Sequence, residues 1–234
     1  MKGQLLETLK IRDGINFYLP GAIVQKGKKV DFENLISCSH KIRLISICLL
    51  FSVAILSAQE IKTVLKAPEG WRTEIISFPL SFAPEIEFVG FEDIRFAPDW
   101  SNPKSDEFWT YHFVWYIDKN EEMTEESLAN TIQYYYNGLM TIVMSGEEGS
   151  KKVLTDMDKT QSLFTKTKEG FSGKVSVFDG FFTKKKILLY VKVKEVLCKE
   201  SSKQIIAFDI SLKPFDNSIW KRFDQIEFIG ECFK

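Results

Sequence analysis

The chain has 234 residues, 44% hydrophobic and 27% charged, the balance of a globular protein of one domain or two small ones. Its formal charge is −1, yet residues 1–58 hold eight Lys/Arg and four Asp/Glu, which leaves 23 basic and 28 acidic residues in the remainder, a net of −5. A mildly acidic body excludes nucleic acid as the main partner, because phosphate neutralisation needs a basic face, and it argues against anionic membrane surfaces.

Met1–His40 carries one weak apolar patch, Ile15–Val24, broken by Pro20 and Gly21. It reads as a non-native or disordered extension with no place in the mature fold. Lys41-Ile42-Arg43 then precedes a 15-residue apolar run, Leu44–Ala58, which ends in small residues before Gln59-Glu60. A basic start, a greasy middle and a small-residue end are the three parts of a secretory signal peptide. Residues 41–58 are therefore expected to direct export and be cleaved, leaving 59–234 as one periplasmic or secreted domain with no stable membrane insertion. The alternative is a retained anchor through 43–58, although a membrane helix usually needs about 20 apolar residues. Cys48 follows Ile45-Ser46-Ile47 in mid-run, which is no lipoprotein site.

In the mature part, Arg72–Phe78 reads as a strand and Pro79–Pro84 as a turn or edge segment, since proline cannot donate to a ladder. Glu85–Val89 and Phe91–Phe96 are short strand candidates split by Gly90, and Pro98–Asp106 is a polar loop. Asp106–Ile117 gives the strongest strand signal. Its odd positions Trp109, Tyr111, Phe113, Trp115 and Ile117 should meet the core, and its even positions Thr110, His112 and Tyr116 the wetter side.

Thr124, followed by Glu125 and Glu126, is the N-cap of a helix in which Leu128, Ile132, Tyr135, Leu139 and Val143 recur at helical spacing. Gly146 and Gly149 should end it. Four strands are expected over 161–168, 174–179, 186–197 and 203–212, with turns at Glu169-Gly170, Asp179-Gly180 and 199–202. Asn217 can cap a final helix bearing Ile219, Phe223, Ile226 and Ile229, closed by Gly230. The order βββ(β)-α-ββββ-α defines an α+β domain, an antiparallel sheet with two main helices packed on one face. Removing the signal region leaves Cys198 and Cys232, an even pair expected to form a disulfide in an oxidising compartment.

Two resemblances follow from these residues. The end Ser57-Ala58-Gln59-Glu60 resembles signal peptides of Bacteroidetes-type bacteria. The stretch from Gly70 to Tyr116, with Gly70-Trp71, Phe82-Ala83-Pro84 and the aromatic strand, resembles uncharacterised exported proteins of such bacteria. The last 75 or so residues, strands ending in a helix with an aromatic tail, are similar in order to the Mog1/PsbP-like fold. These resemblances imply a fold and a destination, and no activity.

The chemistry is sparse. The sequence has no Gly-rich phosphate loop, no G-x-S-x-G elbow and no HExxH. The mature part has one histidine, so any histidine-dependent mechanism must use His112. The catalytic candidates are His112, Glu92 and Asp93, with Glu85, Glu87 and Asp106 as further acids for a paired-carboxylate site. The plainer reading is a locally bonded histidine and chance proximity among 28 acids.

Trp71 and Trp100, in loops, are the candidates for an exposed binding platform, together with Tyr116. Lys184-Lys185-Lys186 reads as a solvated turn. Asp156, Asp158 and Thr160 alternate as in some calcium loops but lack the glycine and closing glutamate, so no metal or cofactor is assigned. The expected function is a non-catalytic envelope protein that binds a small ligand, a glycan or an envelope protein. The alternative is a periplasmic hydrolase using carboxylates or His112.

Overall fold

The computed structural model describes residues 63–118, 122–145, 155, 158–198, 201–230 and 232. The extension 1–40 and the signal segment 41–58 lie outside the described residues. The elements run β1 (Leu65–Lys66), β2 (Arg72–Ser77), β3 (Gly90–Phe96), β4 (Tyr111–Asp118), α1 (Glu125–Ser145), β5 (Gln161–Thr167), β6 (Gly170–Phe178), β7 (Lys186–Leu197), β8 (Lys203–Ser211), a 3-10 helix (Ser218–Gln225) and β9 (Glu227–Phe228).

Seven strands form one sheet in the order β2-β3-β4-β8-β7-β6-β5, with every neighbouring pair antiparallel. Two meanders, β2–β4 and β5–β8, meet where β4 pairs with β8. The α+β class is as expected from the sequence.

α1 begins at Thr124, whose Oγ1 accepts from the Ser127 N–H at 3.0 Å while Ser127 Oγ accepts from the Thr124 N–H at 2.8 Å. This reciprocal cap satisfies donors that the first turn leaves open. Leu128, Ile132, Tyr135, Tyr136, Met140 and Met144 form its buried face. All of these but Met144 cluster with Phe113, Trp115, Ile117, Val175, Leu189, Val191, Ile206 and Phe208 in the main core. Side chains and backbone bind the helix to edge strand β5: Ser162 Oγ donates to the Ala129 carbonyl at 2.8 Å, and the Lys166 N–H donates to Glu125 Oε1 at 2.6 Å.

The segment 85–89, expected as a strand, is a loop. Pro84 and the turns closed by Ala83 N–H to Leu80 O and Ile86 N–H to Ala83 O take the chain out of ladder geometry. Leu80, Phe82 and Ala83 just before it and Ile86 within it fill the core beside α1 instead. Gly138 lets the helix lie directly on this loop: a Cβ there would sit 1.7 Å from the Phe82 carbonyl oxygen. The aromatic strand is also shorter than expected, since Trp109 has φ of 55° and pairing starts only at Tyr111.

The opposite face of the sheet carries a second cluster. Val64, Leu65, Trp71, Ala97, Trp100, Val114, Ile205, Ala207, Ile219, Trp220, Phe223 and Ile226 are buried together there. The C-terminal segment is thus a 3-10 helix on the face away from α1, not a second α-helix beside it. Asn217 does cap it, accepting the Ile219 N–H at 2.9 Å. The chain then leaves the helical path because residues 227–228 pair with β1. Cys198, just past β7, and Cys232 form the expected disulfide, with Cα atoms 4.6 Å apart across 34 positions.

No helix among the described residues is long and apolar enough to cross a membrane.

Candidate functional site

Because side chains alternate along a strand, the three catalytic candidates are divided by the sheet. Glu92 lies opposite Trp115 on the α1 face, whereas Asp93 and His112 point to the face covered by the C-terminal segment. They form no common site.

Glu92 is fully buried. Tyr135 donates its hydroxyl to Oε1 at 2.9 Å. The Trp115 indole N–H lies near enough to favour the charged form, yet neither it nor Oε2 has a partner in hydrogen-bonding geometry. Loss of water is the largest influence on this carboxyl, and the charge of Glu74 adds to it; together they push its pKa up to about 8. Burial also raises the pKa of Glu74. Beside them the Tyr111 and Tyr136 hydroxyls bond to each other. The array is a protonatable cluster locked in the core.

Asp93 is a structural anchor. Its carboxylate accepts from Thr63 Oγ1 at 2.7 Å and the Val64 N–H at 2.9 Å, and it is ion-paired with Arg95. Arg95 also donates to the Leu65 carbonyl at 2.6 Å and the Ile94 carbonyl at 2.8 Å. Both side chains are almost wholly buried. This network fastens the leading segment and β1 to β3, and it consumes the lone pairs that catalysis by Asp93 would need.

His112 bonds Asp209 Oδ1 through Nδ1 at 2.7 Å, while the edge of its ring meets Phe228. Its Nε2 is buried with no partner, so no hydroxyl or thiol stands where a nucleophile would be activated. The expectation of a wet side for His112 is corrected here: β4 is central, and its even positions lie under the second cluster.

Trp71 and Trp100 are each only 9% exposed. They offer no exposed platform, because the loops holding them fold over Val114 and Ala207. Trp71 meets the Phe223 ring edge-on, and Trp100 packs tilted against Phe96 with ring centroids 4.4 Å apart. Tyr116 is half-buried against Phe91. Asp156 lies outside the described residues, and among those described no three His, Cys, Asp or Glu side chains converge as a metal site would require. One surface hollow is lined by Thr167, Lys168, Glu169, Ser172, Lys192 and Lys194, another by Glu122, Thr124, Glu125 and Lys166; neither reaches His112, Glu92 or Asp93.

One part of the sheet remains uncovered. The second cluster spans β3, β4 and β8 and ends on β7, where Tyr190 and Val196 pack at its edge, so it leaves the same face of β5 and β6 and the outward side of β7 uncovered. Leu163 there is 74% exposed and Leu188 42%. Lys174 and Tyr190 share a row with Leu163, Leu188 lies one row to one side, and Lys192 and Lys194 lie along β7 to the other. Lys174 lies over the Tyr190 ring at 5.3 Å, and Lys192 over Trp220 at 5.0 Å and Phe215 at 5.8 Å. The sequence hinted at this face through the Lys-Val alternation of 191–194; Asp93 and Arg95 two apart in β3, and Asp209 within the apolar run of β8, were the signal for the sealed network.

No family model, curated protein or solved structure matches the chain.

Proposed function

We propose that this chain is an exported, non-catalytic binding domain that works through an open sheet face rather than a pocket. One observation carries the reading: the ionisable groups with catalytic potential are sealed beneath apolar shells, while half of one sheet face stays open and mixes cations with exposed aliphatic side chains. Mixed apolar patches of this kind mark interaction surfaces. Export is supported by the signal-like run Leu44–Ala58 and by the Cys198–Cys232 bond, since such bonds persist in oxidising compartments. The hydrolase reading has the His112–Asp209 pair in its favour, but the sealed Nε2 deprives that pair of a substrate.

The test is site-specific photo-crosslinking in native cells carrying the full chain. A benzophenone residue at Thr165 or Ser176, on the open face, should give a discrete adduct, and one at Thr141, on the exposed side of α1, should not. Adducts from Thr141 alone, or from no position, would overturn the proposal.

A further inference from the structure

We infer that the occupant of the open β5–β6–β7 face is an acidic, amphipathic segment of another protein; this rests on the binding-domain reading above. Charge is the first argument. Lys174, Lys192 and Lys194 stand on this face, and among the described residues none of the three ammonium groups meets a carboxylate. Asp209, in register with Lys192, is committed to His112. Elsewhere on this acidic chain Lys66, Lys166 and Lys213 are each held by a carboxylate, of Glu227, Glu122 and Asp106. The unpaired lysines therefore form a local basic field on a domain of opposite net sign, which complements an anionic partner.

Shape and polarity select among anions. Leu163 and Leu188 lie on either side of β6, two strand spacings apart, so the partner must offer apolar side chains as well as charge. The Tyr190 and Phe215 rings, the aromatic surfaces on which a sugar would stack, each carry a lysine ammonium, Lys174 at 5.3 Å and Lys192 at 5.8 Å. That arrangement disfavours an anionic glycan. A second copy through the same face would set lysine against lysine. The chain's own residues 1–58 carry an excess of basic groups and fit no better. Strand addition at β5 is opposed because its outward Lys166 N–H is already held by Glu125 and its flank by α1. What fits is a helix or turn with carboxylates flanking an apolar stripe, whose acids reach the lysines and whose stripe covers Leu163 and Leu188. The hollow lined by Thr167, Lys168, Glu169, Ser172, Lys192 and Lys194, three lysines to one glutamate, would receive one terminal carboxylate.

The experiment measures fluorescence anisotropy of the oxidised full chain with four labelled probes: a helical Glu/Leu amphipathic peptide, a poly-Glu peptide of equal charge, a Lys/Leu counterpart and dextran sulfate. The Glu/Leu peptide should bind at least tenfold more tightly than the other three. K174E/K194E, at two exposed positions, should weaken it at least tenfold, and L163S/L188S at least threefold, with unchanged circular dichroism. K66E, remote from the face, serves as the control and should bind like the parent. Equal binding of poly-Glu or dextran sulfate, or variants that bind like the parent, would overturn the inference. Crosslinks at Thr165 without any preference for the acidic amphipathic probe would sink this partner class while leaving the binding-domain reading intact; absence of the crosslinks would sink that reading itself.

Discussion

Replacing Glu92 with Gln should flatten the pH dependence of stability. The folded chain holds this carboxyl in a dry pocket between Trp115, Tyr135 and Glu74 and raises its pKa from the ordinary 4.5 to about 8. Between those pH values the native state retains a proton that the unfolded chain has released. The contribution to stability is therefore complete below about pH 4.5 and is lost as pH climbs toward 8. One proton is worth about 1.36 kcal/mol per pH unit, so the whole interval corresponds to about 3–5 kcal/mol. Glutamine keeps an oxygen to accept the Tyr135 hydroxyl and has no charge to bury. Urea denaturation of both proteins at pH 5, 6.5 and 8.5 isolates the effect, because every other titrating group is common to the two. The variant should match the parent within about 1 kcal/mol at pH 5 and exceed it by about 3 kcal/mol or more at pH 8.5. Parallel curves across that range would refute the argument that burial governs this group.

Asp93→Asn should cost about 3–5 kcal/mol at pH 7, because it leaves the Arg95 guanidinium buried without its counter-charge; denaturation should show the double variant D93N/R95M recovering part of that loss, and a cost below about 1 kcal/mol would contradict a dry ion pair. Gly138→Ala should lower stability by about 1–3 kcal/mol despite alanine's better helix propensity, since the new methyl would collide with the Phe82 backbone oxygen; an unchanged or raised melting temperature would mean that the helix and the 79–89 loop are not in that contact.

The sequence revealed what local periodicity encodes and hid what distant segments impose. The odd positions of β4 announced a core face, and Tyr111, Phe113, Trp115 and Ile117 are indeed buried under α1. The even positions misled, because alternation tells a wet side only when the strand is covered once. Val114 and His112 lie under Ile219, Trp220, Phe223 and Phe228, more than a hundred residues away in sequence. The spacing Ile219, Phe223, Ile226 is equally served by eight residues of 3-10 helix, and only the pairing of 227–228 with β1 decides against a longer α-helix. The same distance hid the polar partners: Tyr135 stands 43 residues from Glu92, and Asp209 stands 97 from His112. Trp71 and Trp100 looked available because they sit in loops, and loop position says nothing about which loops fold back over a sheet.

The register places the pieces in one line across the sheet. Thr73, Arg95, His112, Asp209, Lys192, Ser172 and Thr165 are successive partners from β2 to β5, all on the face away from α1. A row of polar and charged groups like this favours one pairing, since a one-residue slip of a strand would carry its charged member to the face beneath α1. The row also marks where cover ends. Arg95 is spent on Asp93 and the leading segment, and His112 and Asp209 on each other. Lys192 stands at the border, held against Trp220 and Phe215, and the lysines beyond it have no acidic partner. The disulfide joins the end of β7 to the chain that follows β9, so the border between the closed and open halves is fixed covalently. The same C-terminal cover that seals the histidine thereby sets how much basic sheet is left for a partner, and the two halves of this face follow from one structural decision.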